Sequence, residues 1–344
     1  MIRSSDGPIQ QWSHMIYNRF GNTGMVVSRL GMGCFQLGKP EFGEEVMGRV
    51  MEEAIAGGVN LIDTADTYFE SEVRVGKALK ANGKRDSVFL STKVYKVHSH
   101  GGETKTPRLA RNGRTNILRA VEESLRRLQV EHVDLLLLHH PDSGVGVEET
   151  MKALDGVVKS GKARYVGASN HYAWQVEYSQ RVAERMGLEK FSVVQNCYSA
   201  VQRTLEMEYL HYVRKMGLGL MVYSPLGVGL LTGNFEAVKN VEGQAGEFRK
   251  GLEKRGMFEG MVKGLNEIAR EVGMGVNQLA MMWVLSKPVV SVALLGGTEV
   301  GHFRSIFEVI DKPLEAGVVG RIDALTEGAV YLPYRNQAEV EGGG

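Results

Sequence analysis

Cysteine is almost absent from this chain, with Cys34 and Cys197 the only two in 344 residues. Two thiols are too few for a disulfide framework or a thiolate metal cluster. An excess of either charge is missing too. A formal net charge of +1 gives no electrostatic case for binding nucleic acid or an anionic membrane surface. No apolar run reaches the roughly 18 residues of a membrane-spanning helix. Met1 to His14 is polar and lacks the apolar stretch of a secretory signal. These absences predict a cytoplasmic, enzyme-sized protein. A further absence bears on the fold. The first strand ends Gly31-Met32-Gly33-Cys34 with no Gly-x-Gly-x-x-Gly turn, the mark of an open doubly wound sheet.

What is present is a rhythm. Ile16 to Val27 alternates loosely around Gly21-Asn22-Thr23-Gly24 and reads as a hairpin. Short apolar strands then alternate with helical segments. The strands are expected at Arg29–Cys34, Val59–Ile62, Val88–Thr92, Val133–Leu138, Ala163–Gly167, Phe191–Gln195, Leu218–Tyr223 and Val289–Leu295. Between them, the helical period places segments at Glu44–Gly57, Ser71–Asn82, Asn116–Leu128, Val147–Lys159, Ala173–Met186 and Leu205–Met216. Two more follow at Phe258–Val272 and Val276–Leu285, and a last one starts near Val300. Thr115 is the expected N-cap of the clearest helix. Strands this short and apolar suit a parallel sheet covered by helices. Eight such units predict an α/β fold, a (β/α)8 TIM barrel with an N-terminal β-hairpin. Residues 1–15 would be an extension, 16–330 one barrel domain and 331–344 a tail. The stretches 95–114 and 233–256 read as long loops.

Enzymes on this barrel carry their sites at the C-terminal strand ends. Those positions hold Cys34, Asp63, Lys93, His139, Ser169-Asn170, Gln195-Asn196, Tyr223-Ser224 and Gly296-Gly297-Thr298, with Tyr68 in the loop after Asp63. Each has a plain structural reading: Asp63 can bond its own loop, Lys93 can reach solvent, and His139 and Tyr68 can sit on the rim. Their coincidence on adjacent strands favours chemistry. A phenol with a reference pKa of about 10 is a poor acid at neutral pH. A neighbouring ammonium should lower it. Asp63 would hold Lys93 charged, and His139 would orient a carbonyl oxygen. The Gly-rich turns Ser224-Pro225-Leu226-Gly227-Val228-Gly229 and Gly296-Gly297-Thr298 suit phosphate binding through backbone N–H groups. Asn170, Gln195 and Tyr223 suit a flat, amide-bearing ring.

The marks Thr23-Gly24, Asp63-Thr-Ala-Asp-Thr-Tyr68, Ser91-Thr-Lys93, His139-His-Pro-Asp142, Gly167-Ala-Ser-Asn170, Gln195 and Tyr223-Ser-Pro-Leu226 resemble those of the aldo-keto reductase family, over about Tyr17 to Ile310. The resemblance implies a catalytic tetrad of Asp63, Tyr68, Lys93 and His139, with Tyr68 as the acid. It implies that Ser169, Asn170 and Gln195 bind a nicotinamide carboxamide, that Tyr223 stacks on the ring, and that Ser224, Pro225, Leu226, Gly227 and Gly229 hold the pyrophosphate. Cys34, Phe35 and Asp63 would also contact the cofactor, Phe35 standing where the family has Trp. Phe69 replaces the usual glycine after the tyrosine. Ser305 and Ile306 replace the usual acidic–Asn pair near adenine, and Asn234 stands at the usual basic position. Gly296, Thr298, His302 and Arg304 would face the adenosine end. His302 and Arg304 could meet a 2′-phosphate, so NADP(H) is favoured over NAD(H).

The expected reaction is reversible hydride transfer between a nicotinamide and a small carbonyl or alcohol substrate, an aldehyde, ketone or sugar-like molecule. Oligomer formation is left open. A cofactor-binding regulatory protein is the alternative, since the fold resembles that of potassium-channel β subunits. A metal-dependent barrel hydrolase on His98, His100, His139 and His140 is weaker, because the first pair lies in a flexible Gly-rich loop. No metal ligand is assigned. A Schiff-base role for Lys93 is minor if Asp63 keeps it protonated.

Overall fold

The strands of this chain are apolar on both faces, and the two faces meet different neighbours. Leu61, Leu135, Leu137, Val193, Met221, Val292 and Leu294 form one buried cluster. Their sequence neighbours Ile62, Leu136, Val194, Leu220, Val222 and Ala293 belong to another, packed with helix residues. This two-residue alternation is that of a closed barrel with an inner and an outer core. The structure, a computed structural model, describes residues 14–95, 111–233, 250, 253 and 256–329.

Eight parallel strands close the barrel: β3 (Leu30–Gly33), β4 (Leu61–Asp63), β5 (Phe89–Val94), β6 (Val133–Leu138), β7 (Ala163–Ser169), β8 (Val193–Cys197), β9 (Gly219–Tyr223) and β10 (Val292–Leu295). They follow chain order, and β10 pairs with both β9 and β3. Before them, β1 (Tyr17–Arg19) and β2 (Val26–Ser28) form an antiparallel hairpin. The expected (β/α)8 barrel with its hairpin is the observed fold. Phe20, Met25 and Val27 of the hairpin join the inner cluster. At its turn Gly21 has φ +59°, and a Cβ there would lie 2.3 Å from the Gly219 nitrogen. Only glycine permits that backbone contact.

The described helices are α1 (Phe35–Gly38), α2 (Glu44–Ala56), α3 (Ser71–Asn82), α4 (Arg114–Leu128), α5 (Val147–Lys159), α6 (Ala173–Met186), α7 (Tyr209–Met216), α8 (Phe258–Glu271), α9 (Val276–Leu285), α10 (Val300–Phe307) and α11 (Ala316–Leu325). None of them is long and apolar enough to cross a membrane.

Several boundaries differ from the sequence reading. Helix α4 begins before Thr115, with Gly113 as its N-cap and no side-chain cap. Glu149, in the first turn of α5, accepts from the Arg114 N–H instead (2.9 Å), so a neighbouring helix supplies the acceptor that Thr115 was expected to provide. The segment expected to be helical from Leu205 opens as a 3-10 turn, Thr204–Met207, before α7. Strands β7 and β8 run two residues longer than their apolar cores, to Ser169 and Cys197. Their polar ends still make ladder bonds.

Candidate active site

The alternation that builds the barrel also aims its strand ends. Asp63 shares parity with inward Leu61, Gln195 with Val193, and Tyr223 with Met221. Asp63 pairs in register with Ser91, and Lys93 with inward Leu137. Asp63 and Lys93 therefore meet inside the barrel, where both are buried. Lys93 Nζ donates to Asp63 Oδ2 (2.6 Å), to the Thr64 carbonyl (2.9 Å) and to Tyr68 Oη (3.3 Å). An ammonium has three hydrogens, and all three are engaged. The second Asp63 oxygen accepts from Gln195 Nε2 at 3.0 Å. Burying these charges is tolerable because each is paired and hydrogen-bonded.

Tyr68 is carried by a loop braced against α1. Gly38 makes this possible, since a Cβ there would lie 2.2 Å from the Tyr68 carbonyl. The Glu70 N–H donates to the Gly38 carbonyl, and Ser71 Oγ bonds both Thr64 Oγ1 and the Cys34 carbonyl. The Tyr68 ring stands edge-on to Phe35 (centroids 5.0 Å apart) and to His139 (5.4 Å). His139 Nδ1 lies 3.2 Å from Thr67 Oγ1. The four residues expected to form a tetrad thus stand together.

Electrostatics fixes their protonation. Burial opposes the charge on Lys93, but Asp63, then Tyr68, overcome it and hold its pKa above that of an ordinary lysine. Burial likewise pushes the Tyr68 phenol up, Lys93 pulls it back, and the net shift is upward. The ammonium lowers it as expected, but desolvation of the phenolate outweighs that attraction. Tyr68 is a protonated phenol at neutral pH. Burial, then Lys93 and His140, push His139 well below an ordinary imidazole, so it is neutral.

The expected cofactor contacts fall into three groups. In the first, Ser169 Oγ is buried without a hydrogen-bond partner. Asn170, at φ +63°, donates through Nδ2 to the His139 carbonyl and accepts the Tyr223 hydroxyl at Oδ1. Second is the turn after β9, where Ser224, Gly227, Val228 and Gly229 all have positive φ (55°, 60°, 57° and 97°). A left-handed Val228 is strained, and such strain is kept at ligand-binding turns. Third, Thr298 and Arg304 line a cavity of about 400 Å3 with Val46, Arg49, Val50 and Glu299. These observations fit the expected dinucleotide: an orphaned Ser169 hydroxyl, a turn of left-handed residues after β9, and a cavity beyond the Gly296-Gly297 turn.

Other expectations are altered. Arg304 donates through Nε and Nη2 to both Glu53 carboxylate oxygens (2.9 and 3.0 Å), which fixes it rather than leaving it as a mobile phosphate contact. His302 Nδ1 accepts from the Thr298 N–H. Cys34 is wholly buried and belongs to the helix-facing core, not the opening. Phe35 is exposed and touches Tyr68, so it stands at the opening beside it. Pro225 and Leu226 keep their place in the β9 turn, and Gly296 follows β10. Asn234, His98 and His100 lie outside the described residues. Among the described residues no group of three or more His, Cys, Asp or Glu could hold a metal.

Some residues went unnoticed in the sequence. Thr64 and Thr67, quoted only as part of the run from Asp63 to Tyr68, fix Lys93 and His139, a role that a threonine in a loop does not announce. Arg49 and Glu53 had one. They continue the apolar stripe of Val46 and Val50 at helical spacing, and a charge on such a stripe announces a buried partner. Tyr95 and Arg111 complete the opening, with Tyr95 edge-on to His140 (4.8 Å) and the Arg111 guanidinium 4.6 Å from the Tyr95 ring.

The sequence profile of the Aldo/keto reductase family matches residues 29–327. Relatives include an uncharacterized oxidoreductase, YrpG, of Bacillus subtilis, 30% identical over 91% of this chain and 97% of its own length. Aldo-keto reductase YhdN of the same bacterium is 30% identical over 93% and 96%. Versiconal hemiacetal acetate reductase of Aspergillus parasiticus is 34% identical over 80% and 86%.

Proposed function

The chain belongs to the aldo/keto reductase family and is an NAD(P)-dependent oxidoreductase; from that premise we propose that Tyr68 is the proton donor and acceptor for interconversion of a carbonyl compound and its alcohol. A bound nicotinamide supplies the hydride in reduction and takes it back in oxidation. The observation that carries the reading is the three-way engagement of Lys93 with Asp63, Thr64 and Tyr68. Because Lys93 donates to Tyr68 Oη, the phenolic hydrogen must point elsewhere, and the open side is the one bounded by Phe35 and His139. In reduction the carbonyl π pair moves onto oxygen as that oxygen takes the Tyr68 proton. The Lys93 ammonium then stabilises the phenolate left behind. In oxidation the phenolate recovers the proton from the alcohol. Neutral His139 accepts from Thr67 at Nδ1 in this reading, so its Nε2–H orients the substrate oxygen.

Ser169, Asn170 and Gln195 would hold the carboxamide and Tyr223 the ring face. Ser224 to Gly229 and the Gly296–Thr298 turn would hold phosphates. We propose NADP(H) over NAD(H), because Arg49 lines the cavity beside Thr298, while Arg304 next to it is held by Glu53. Gln195, bonded to Asp63, would also steady the tetrad. The substrate side is walled by exposed Phe35 and Phe69, with centroids 6.1 Å apart, and by Tyr95. Such walls favour a flat, aromatic carbonyl compound over a sugar.

The test is steady-state oxidation of NADPH and of NADH with aromatic and aliphatic aldehydes and ketones. Multiple turnovers with aromatic aldehydes, faster with NADPH, are expected. Absence of turnover with either cofactor across the panel would overturn the enzymatic assignment of Tyr68 in favour of a cofactor-binding regulator.

A further inference from the structure

A second cavity lies behind the barrel wall. It has a volume of about 180 Å3 and sits between the start of α6 and the connection from β8 to α7. Gln195 faces the barrel interior and Asp63. Asn196, next in the strand, has the opposite parity and faces outward into this space. The cavity is therefore separated from the substrate opening by the strand itself. Asn170 forms part of its wall.

Two features set it apart from a packing defect. Asn196 and Tyr209 both line it and are each only 6% exposed. Asn196 Nδ2 and Tyr209 Oη nevertheless have no hydrogen-bond partner. Asn196 bears on the phenol closely enough to favour its ionised form, against stronger burial, through a contact looser than a well-formed hydrogen bond. Leaving a buried donor unsatisfied costs about 1–3 kcal/mol for each group. Ala173, Leu205 and Met207 give the rest of the lining an apolar side, beside the neutral polar residues Asn170, His171, Gln202 and Thr204. The only charged side chain in it is Glu208, which disfavours an anion. The amide and hydroxyl hydrogens at the floor disfavour a cation. A neutral acceptor is left, and a cavity of about 150 Å3 already admits a single six-membered ring.

We infer that this cavity is a second small-molecule site, taking a neutral, ring-sized compound whose carbonyl oxygen accepts from Asn196 Nδ2 and Tyr209 Oη. Its apolar ring would pack against Ala173, Leu205 and Met207. The inference does not rest on the proton transfer assigned to Tyr68, since no residue of the tetrad lines the cavity, although Asn170 is shared with the proposed carboxamide site.

The probe is δ-valerolactam, a neutral six-membered cyclic amide, titrated into the full chain with and without NADPH and followed by saturation-transfer NMR. Saturable binding is expected at millimolar concentration in both conditions. Asn196→Leu removes the donor at similar size and should weaken binding about tenfold. Ala173→Leu keeps both polar groups and fills the space, so it should weaken binding comparably even if the first variant folds poorly. A crystal grown with the lactam should show its oxygen between Asn196 and Tyr209. Absence of saturable binding, binding unchanged in a folded variant, or a crystal showing only water at the two groups would overturn the inference.

Discussion

The two mouths of the barrel are built from the same strands and solve opposite problems. At the N-terminal mouth Phe20, Met25 and Val27 press an apolar plug onto the inner cluster, and the Gly21 turn lies backbone against backbone on β9. At the C-terminal mouth the inward positions are Asp63, Lys93, Gln195 and Ser169. One end removes apolar surface from water; the other buries charge by pairing it. Stability and chemistry are thereby separated along one axis, as the fold allows. Changes at each mouth should move one property and spare the other, with Lys93 the exception.

Lys93→Met should have the largest effect, because Lys93 belongs to both accounts. It leaves Asp63 buried without its cation, which should cost about 3–5 kcal/mol of stability. It also removes the charge facing the Tyr68 phenolate, which should lower turnover by about 10²–10⁴-fold. Chemical denaturation with steady-state kinetics checks both, and a variant losing only one would break the double role.

Phe20→Ala should cost about 3–5 kcal/mol while leaving kcat within about twofold, near the level at which independent sites cease to couple. A lower midpoint of urea denaturation with unchanged kinetics is the expected pair of results. A fall in kcat would mean that the plug shapes the catalytic mouth.

Acid should act chiefly through the catalytic mouth. Burial holds His171 down to about 4, and burial with neighbouring positive charge does the same to His140. An unfolded imidazole takes up a proton below about 6.5. Between that pH and about 4 the unfolded state therefore binds more protons than the folded one, and stability falls as pH falls. Above about pH 6.5 these groups contribute no slope. His171, the more buried, should account for roughly 3 kcal/mol by pH 4. Melting curves from pH 7 to pH 4 follow this, and His171→Gln should flatten the slope.

Phe35→Ala should be the mildest change. It removes one aromatic wall beside Tyr68, worth about 1 kcal/mol to a stacked ring. KM for an aromatic aldehyde should rise several-fold with little change for a small aliphatic one. Equal changes for both would mean that Phe35 positions Tyr68 rather than the substrate.

Much of this was legible in the chain. Strand count, order and the polar ends at Asp63, Lys93 and His139 followed from short apolar runs that stop abruptly. Parity then decides which end residues face inward, which is why Gln195 meets Asp63 while Asn196 does not. Less legible were features set by tertiary neighbours. Thr115 looked like a cap until Glu149 of another helix took that place. Arg304 looked like a phosphate contact until Glu53 claimed it, although Glu53 stood on an otherwise apolar stripe. The helix Ala316–Leu325 has two glycines and little amphipathic pattern, so no period announced it. The sign of the Tyr68 shift depended on how completely the phenol is desolvated, which pairing alone does not reveal.

The most direct test of the central claim is Tyr68→Phe, which removes one oxygen and keeps the ring against Phe35 and His139. Hydride transfer to an aromatic aldehyde should fall by at least about 10²–10⁴-fold, with the affinity for NADPH within about twofold of the parent, since no cofactor contact is assigned to the hydroxyl. Turnover within about tenfold of the parent would contradict the claim that Tyr68 gives the proton.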